Sequence, residues 1–435
     1  MRLLGWGSDF IVGIQGRDQS FMAWNRWAKS VGVALLAMAT LVIAACGETG
    51  GNTGTTLNRS GTITIWHNWE GSYLDAKKAI FDNYTKQYPN VTINLVHKPN
   101  LTDAVTTAVP AGQGPDVIAW VDDVVGKFVK LDIIRSLDGL AGVDMAYMNA
   151  NFSKAAVDAD TFDGKIYGMP ETVEAITMIY NTDLVSAGQL PKTTDDMLSF
   201  SQQFQSQHPG KYGVVWNTKD AYFNAPWVYG FGGYYVKPDG TVGLTTDGTK
   251  AGFNFISGFR GKIPAAVDYG VADTLFKEGK AAIIINGPWS VADYGKANIK
   301  YALATLPTAN GKPVSPFVGV KTLMVSSNAS NPALAVDVIK WFDNKDNEIA
   351  QSVANKEIPA NKLALADPSV QAIEQVKGFG AQVSNGVPLP NTPYMSALWD
   401  PVAKALEAVW TGKQTVDAAL ADAQKAALAN ISQLK

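Results

Sequence analysis

Thr62-Ile-Thr-Ile-Trp66, Val91-Thr-Ile-Asn-Leu95 and Pro115-Asp-Val-Ile-Ala-Trp120 are three short apolar runs lying close together, and their pattern decides the fold class. The first two alternate apolar and polar residues, the period of a half-buried strand. Between them Ile80, Phe81, Tyr84 and Tyr88 fall on one helical face, and Pro89 stops that helix. The third run is apolar from Val117 to Trp120, as strands of a buried parallel sheet are. Strand, helix and strand in this order predict an α/β lobe with helices packed on the sheet faces. Open sheets of this type bind ligands at the carboxyl ends of their strands. Two clusters stand there: Trp66-His67-Asn68-Trp69-Glu70 and Trp120-Val121-Asp122-Asp123.

Further along the chain, Gly261 to Phe276 leads through a helix-like segment into the apolar strand Ala281-Ala-Ile-Ile-Ile285, which Asn286-Gly-Pro-Trp289 then breaks. Again a tryptophan follows the end of a strand. Met395 to Leu434 reads as helices interrupted at Gly412. With 435 residues, 46% of them apolar, the chain supplies two cores, since one core stops growing near roughly 250 to 300 residues. The net charge of −3 arises from 36 basic and 39 acidic residues spread along the chain, which leaves no basic face for nucleic acid.

Arg26 and Lys29 precede the uncharged apolar stretch Val31 to Ile43, which ends at Ala44-Ala45-Cys46, the pattern of a signal peptide spanning residues 1–45. The stretch is shorter than the roughly 20 residues that span a bilayer. Ile43-Ala-Ala-Cys46 resembles a lipobox, so the single cysteine is the expected lipid attachment point, and Met22 is the expected start of translation. The Gly- and Thr-rich residues 46–60 cannot bury enough surface to fold and read as a tether. About 15 flexible residues reach roughly 20 Å.

A sugar presents an apolar ring face and a rim of hydroxyls, so its site needs flat aromatic rings beside charge-accepting carboxylates. Glu70, Asp123 and Glu174 are the candidate carboxylates, and Trp120, Tyr222, Trp289 and Trp399 the candidate platforms. Trp69 reads equally as a further platform or as packing. His67, His97 and His208 are scattered without metal-ligand spacing. A pair of carboxylates among Glu70, Asp122, Asp123 and Glu174 keeps a lipid-anchored glycoside hydrolase as the alternative.

Five blocks carry a resemblance: Gly112-Gln-Gly-Pro-Asp-Val-Ile-Ala-Trp120, Val173-Glu-Ala-Ile-Thr-Met-Ile-Tyr-Asn181, Ile285-Asn-Gly-Pro-Trp289, Pro316-Phe-Val-Gly-Val320 and Pro390-Asn-Thr-Pro-Tyr-Met-Ser-Ala-Leu-Trp399. In this order and spacing the chain after residue 60 resembles the maltose/maltodextrin-binding proteins of ABC importers. The resemblance implies two α/β lobes around an interlobe cleft, residues 61–173 with 319–368 and residues 174–318 with 369–435. Chain crossings are expected near Thr172 to Ala175, Phe317 to Lys321 and Asp367 to Ser369. It implies a monomer without cofactor that closes on its sugar and presents it to a membrane permease, with ATP hydrolysed by other subunits. Position by position, Asn68 and Glu70 match polar contacts, Trp120 a stacking ring, Asp123 and Glu174 ligand carboxylates, and Asp220 a position where the family has Glu. Tyr222, Trp289 and Trp399 match aromatic platforms. Gly71, Val124 and Val291 depart from the pattern, standing where Lys, Arg and Trp would touch sugar. Another disaccharide, such as trehalose, is the alternative ligand within the same fold.

Overall fold

The computed structural model describes residues 57–434, so the expected signal peptide, Cys46 and most of the tether lie outside the described residues. Thr56–Lys435 is a compact unit of its own. Its main strands are β1 (Gly61–His67), β2 (Val91–His97), β3 (Val117–Val121), β4 (Gly168–Glu174), β5 (Thr177–Asn181), β6 (Tyr212–Val215), β7 (Ala281–Asn286), β8 (Tyr301–Ala304), β9 (Phe317–Val325), β10 (Ile358–Pro359) and β11 (Val387–Pro388). They form a first sheet in the order β10-β4-β9-β3-β1-β2, with β11 beside β9, and a second in the order β8-β5-β7-β6.

β1 pairs in parallel with both β2 and β3, as the three apolar runs predict. The rest of the first sheet departs from a parallel arrangement, because β9 runs antiparallel to β3 on one side and to β4 on the other. A local apolar run does not reveal that its neighbour returns from far along the chain in the opposite direction. Mixed sheets of this kind still bury both faces, which suits the fully buried Val117 and Ile118 of β3 and Leu323 to Val325 of β9.

The helix α1 (Gly71–Gln87) buries Tyr73, Lys77, Ile80, Phe81 and Tyr84 along one stripe. Spacings of three and four residues put these on the face that meets the sheet. Tyr88, expected on the same face, instead ends the helix, its amide bonded to the Tyr84 carbonyl at 2.9 Å. Lys77 is the anomaly in the stripe. Its ammonium is fully buried, pairs with Glu171 and with Glu357 (3.3 Å), and donates to Gln351 (3.0 Å). Burial pushes this lysine down to about 8 against the pull of Glu357. An uncompensated charge at this depth would cost several kcal/mol, so the acids of β4 and of the β10 approach hold α1 to the sheet.

The chain passes from the first sheet to the second between Glu174 and Thr177, through the fully buried Ala175 and Ile176. It returns at Phe317, which starts β9 packed against Tyr222, Tyr229 and Tyr235. After Pro368–Gln371 the C-terminal helices α2 (Trp399–Trp410) and α3 (Val416–Ser432) pack on each other, separated by Gly412 at φ +74°.

Candidate ligand-binding cleft

A cleft of about 970 Å³ opens where the two sheets meet, and all ten proposed contact residues line it. Its lining draws on strand ends of the first sheet, on the turns following β6 and β7, and on the start of α2. Apolar walls with a few convergent polar groups are the usual make-up of a small-molecule site.

On the first-sheet side, β3 ends in Val121 and the turn Asp122–Val124 delivers two adjacent carboxylates to different tasks. Asp122 is buried and accepts the Val320 amide at 2.8 Å, tying β3 to β9, and it is not part of the cleft lining. Asp123 faces the cleft, 7% exposed, and accepts the Trp399 indole N–H at 2.8 Å. Burial raises its carboxyl to about 6, although the Trp399 bond and the charge of Lys127 favour the ionised form. Glu174, at the end of β4, lies 4% exposed with Lys321 2.7 Å away. Burial raises it too, and Lys321 opposes the shift. Asn68 and Glu70 are exposed on the loop after β1, where Glu70 meets the His97 ring nitrogen at 3.1 Å.

Trp69 lines the cleft, and of its two readings, added platform or packing, its burial favours packing. It is only 3% exposed, and its ring already stacks on His67 (4.7 Å) and Phe342 (5.9 Å). A tryptophan committed in this way packs the floor beneath the loop. Its backbone N–H, bonded to His67 Nδ1 at 3.1 Å, fixes the loop conformation.

On the opposite side, Asp220 caps the helix Ala221–Gly230 by accepting the amides of Tyr222 (2.8 Å) and Phe223 (3.2 Å) through one oxygen. That cap positions Tyr222 at the helix start, its ring 6.4 Å from Trp289. Trp289 follows β7 in the short turn Pro288–Ser290. Its ring folds back so closely that a Cβ at Gly287 would lie 2.1 Å from it, so the motif needs glycine there. Trp399 opens α2, edge-on to Phe317 at 6.2 Å.

The three departures have structural explanations of different kinds. Gly71 has φ +54°, a conformation that strains any L side chain, and an added Cβ would meet Asp293 Oδ2 at 3.6 Å. Val291 is fully buried and belongs to the core. Val124 lines the cleft as a short apolar group. Several lining residues escaped the sequence reading. Tyr73 and Tyr269 look like helix-face aromatics, Asp293 lies beyond the Trp289 turn, and Lys321 sits inside an apolar strand whose one cation was the available signal.

Residues 79–378 match the model of the bacterial extracellular solute-binding proteins. The chain belongs to that family. This solute-binding protein is 32% identical to a maltotriose-binding protein of Pyrococcus abyssi over 360 residues, 80% of this chain and 78% of the other. It is 30% identical to a galactooligosaccharide-binding protein of Bacillus subtilis over 423 residues, 93% of this chain and 98% of the other. The crystal structure of a cyclo/maltodextrin-binding protein complexed with maltotetraose is similar at a TM-score of 0.71 and 29% identity, covering 86% of this chain and 98% of that one.

Proposed function

We propose that this solute-binding protein captures a neutral oligosaccharide of the maltodextrin type in the cleft and delivers it to the permease of an ABC importer, without hydrolysing it. The observation that carries the reading is the gathering of half-buried aromatic rings, Trp120 on the first-sheet side and Tyr222, Trp289 and Trp399 across from it, with the shielded carboxylates Asp123 and Glu174 in one cavity. Rings take the apolar faces of successive sugar units, and the carboxylates accept from their hydroxyls more strongly than neutral groups would.

Lobes 61–173 with 319–368 and 174–318 with 369–435 would close about the crossings because a ligand touching both sides favours the closed form by its differential contacts. The Cys46 thiol would carry the lipid that anchors the protein to a membrane outside the cytoplasm, in a periplasm or at the outer face of the cell membrane. Burial raises the carboxyls of Asp122, Asp123 and Glu174 alike, but Asp123 Oδ2 is held by the Trp399 indole, Glu174 lies against the Lys321 ammonium, and Asp122 is spent on the Val320 amide. These commitments support capture over hydrolysis.

The Bacillus relative matched over 93% of this chain favours a second reading within the same class, a galactooligosaccharide ligand. A competition panel separates the two. Maltotriose should displace a fluorescent maltodextrin from the unit Thr56–Lys435 at lower concentration than β-galactotriose, trehalose or cellobiose. Preference for the galactoside would move the assignment to the second reading, and competition by none would reject both.

A further inference from the structure

Lys321 occupies the middle of β9, in register between Val121 of β3 and Thr172 of β4. A cation in a central strand is costly unless its position is used. The pairing with β4 slips there: Lys321 stands opposite Thr172 but Thr322 opposite Pro170, leaving Glu171 as an extra residue. Bulges of this kind re-aim side chains beside binding sites.

The ammonium lines the cleft with 13% of its side chain exposed. Nζ lies 4.5 Å from the centre of the Tyr73 ring and 5.2 Å from that of Trp289, which follow strands of different sheets. Its well-aligned hydrogen bond goes to the Tyr73 hydroxyl at 2.7 Å. Glu174 Oε2 is equally near, so the ammonium is shared between the tyrosine hydroxyl and the carboxylate. The Tyr222 hydroxyl is shielded and unpartnered among the described residues.

Other lining lysines are committed differently. Lys277 is tied to Asp273 one turn back on its own helix at 2.6 Å, and Lys127 acts on Asp123. A lysine ammonium has three protons to give. With Tyr73 and Glu174 taking two, the third of Lys321 is left for a ligand beside the Trp289 ring.

We propose that Lys321 is a ligand-contacting, specificity-determining residue that works with Glu174 as a donor and acceptor pair for two adjacent hydroxyls of the sugar unit lying on Trp289. Lys321 donates to one oxygen, and the Glu174 carboxylate accepts from its neighbour. The pair selects neutral oligosaccharides whose unit at the chain crossings keeps an unsubstituted vicinal diol. This assignment rests on the sugar-binding reading above and deepens it.

The test is calorimetric titration of Thr56–Lys435 and its Lys321→Met variant with maltose and a set of its monodeoxy derivatives, with thermal unfolding of each protein as the control. A lost hydrogen bond to a charged group should weaken maltose binding about ten- to a hundredfold in K321M. At one hydroxyl position the deoxy penalty seen with the unaltered protein should vanish in the variant, which a merely structural lysine would not produce. If K321M folds poorly, the same comparison between Glu174→Gln and the double variant E174Q/K321M removes the orphan charge and keeps the readout. Equal binding by K321M, or deoxy penalties that persist at every position, would overturn the assignment alone. If the unaltered protein bound none of these sugars, the reading beneath it would fall first.

Discussion

Asp123 and Glu174, on the first-sheet side of the cleft, are 7% and 4% exposed, and each faces a fixed partner, the Trp399 indole or the Lys321 ammonium. Tyr222, Trp289 and Trp399, on the other side, are half-buried rings that contact other aromatics and keep part of their surface open. The first wall therefore depends on charges taken out of water, which is stable only while every partner is present. The second depends on area and shape, which tolerates loss of a single ring in the fold but not in the ligand. The polar wall should reveal itself in stability and pH dependence, and the aromatic wall in affinity.

Lys77→Ala should break the comparison most severely. It strands Glu171 and Glu357 in the interior beneath the polar wall, and denaturant unfolding should show a loss of about 3–5 kcal/mol. Trp399→Ala should act in the opposite sense. Maltotriose affinity should fall about a hundredfold, the loss of a central aromatic anchor of about 2–3 kcal/mol, while unfolding changes less than for Lys77→Ala.

Asp123 sharpens the contrast through pH. Its folded carboxyl titrates at about 6, above the roughly 4 of an unfolded aspartate. Its contribution to the stability of the free protein is therefore full below pH ~4 and lost as pH rises through ~6. Ligand hydroxyls need the ionised form, so affinity should move the other way and fall about tenfold from pH 7 to pH 5. Titrations at the two pH values check the sign, and Asp123→Asn should flatten the dependence.

The smallest effect is expected where the walls touch. Ser72 Oγ donates to Asp293 Oδ1 at 2.9 Å, joining the start of α1 to the segment after Trp289. Asp293→Ala removes one half-exposed bond and should change maltotriose affinity by less than about 1 kcal/mol, roughly fivefold or less.

The strands and the helix α1 were legible because their apolar spacing is local, and the tryptophans after β3 and β7 stood out because strand ends are where such sheets bind. The antiparallel return of β9 was not legible, since pairing across the chain leaves no local period. Trp69 stayed open between platform and packing for a related reason. Position after a strand suggests a site, but the Phe342 that stacks on it arrives from a distant helix. Lys321 is the one cation of an apolar strand, whereas Lys77 stands beside Lys78 on a mixed helix and gives no sign in sequence of its burial. Only the folded chain shows that Lys77 is enclosed by acids and Lys321 opens into the cleft.

The most direct measurement is calorimetric titration of Thr56–Lys435 with maltotriose, followed by chromatography of the sugar recovered from the cell. Saturable binding of one maltotriose per chain, with the trisaccharide recovered intact, is the predicted result. Release of glucose or maltose, or no heat from any α-glucan by a folded protein, would contradict it.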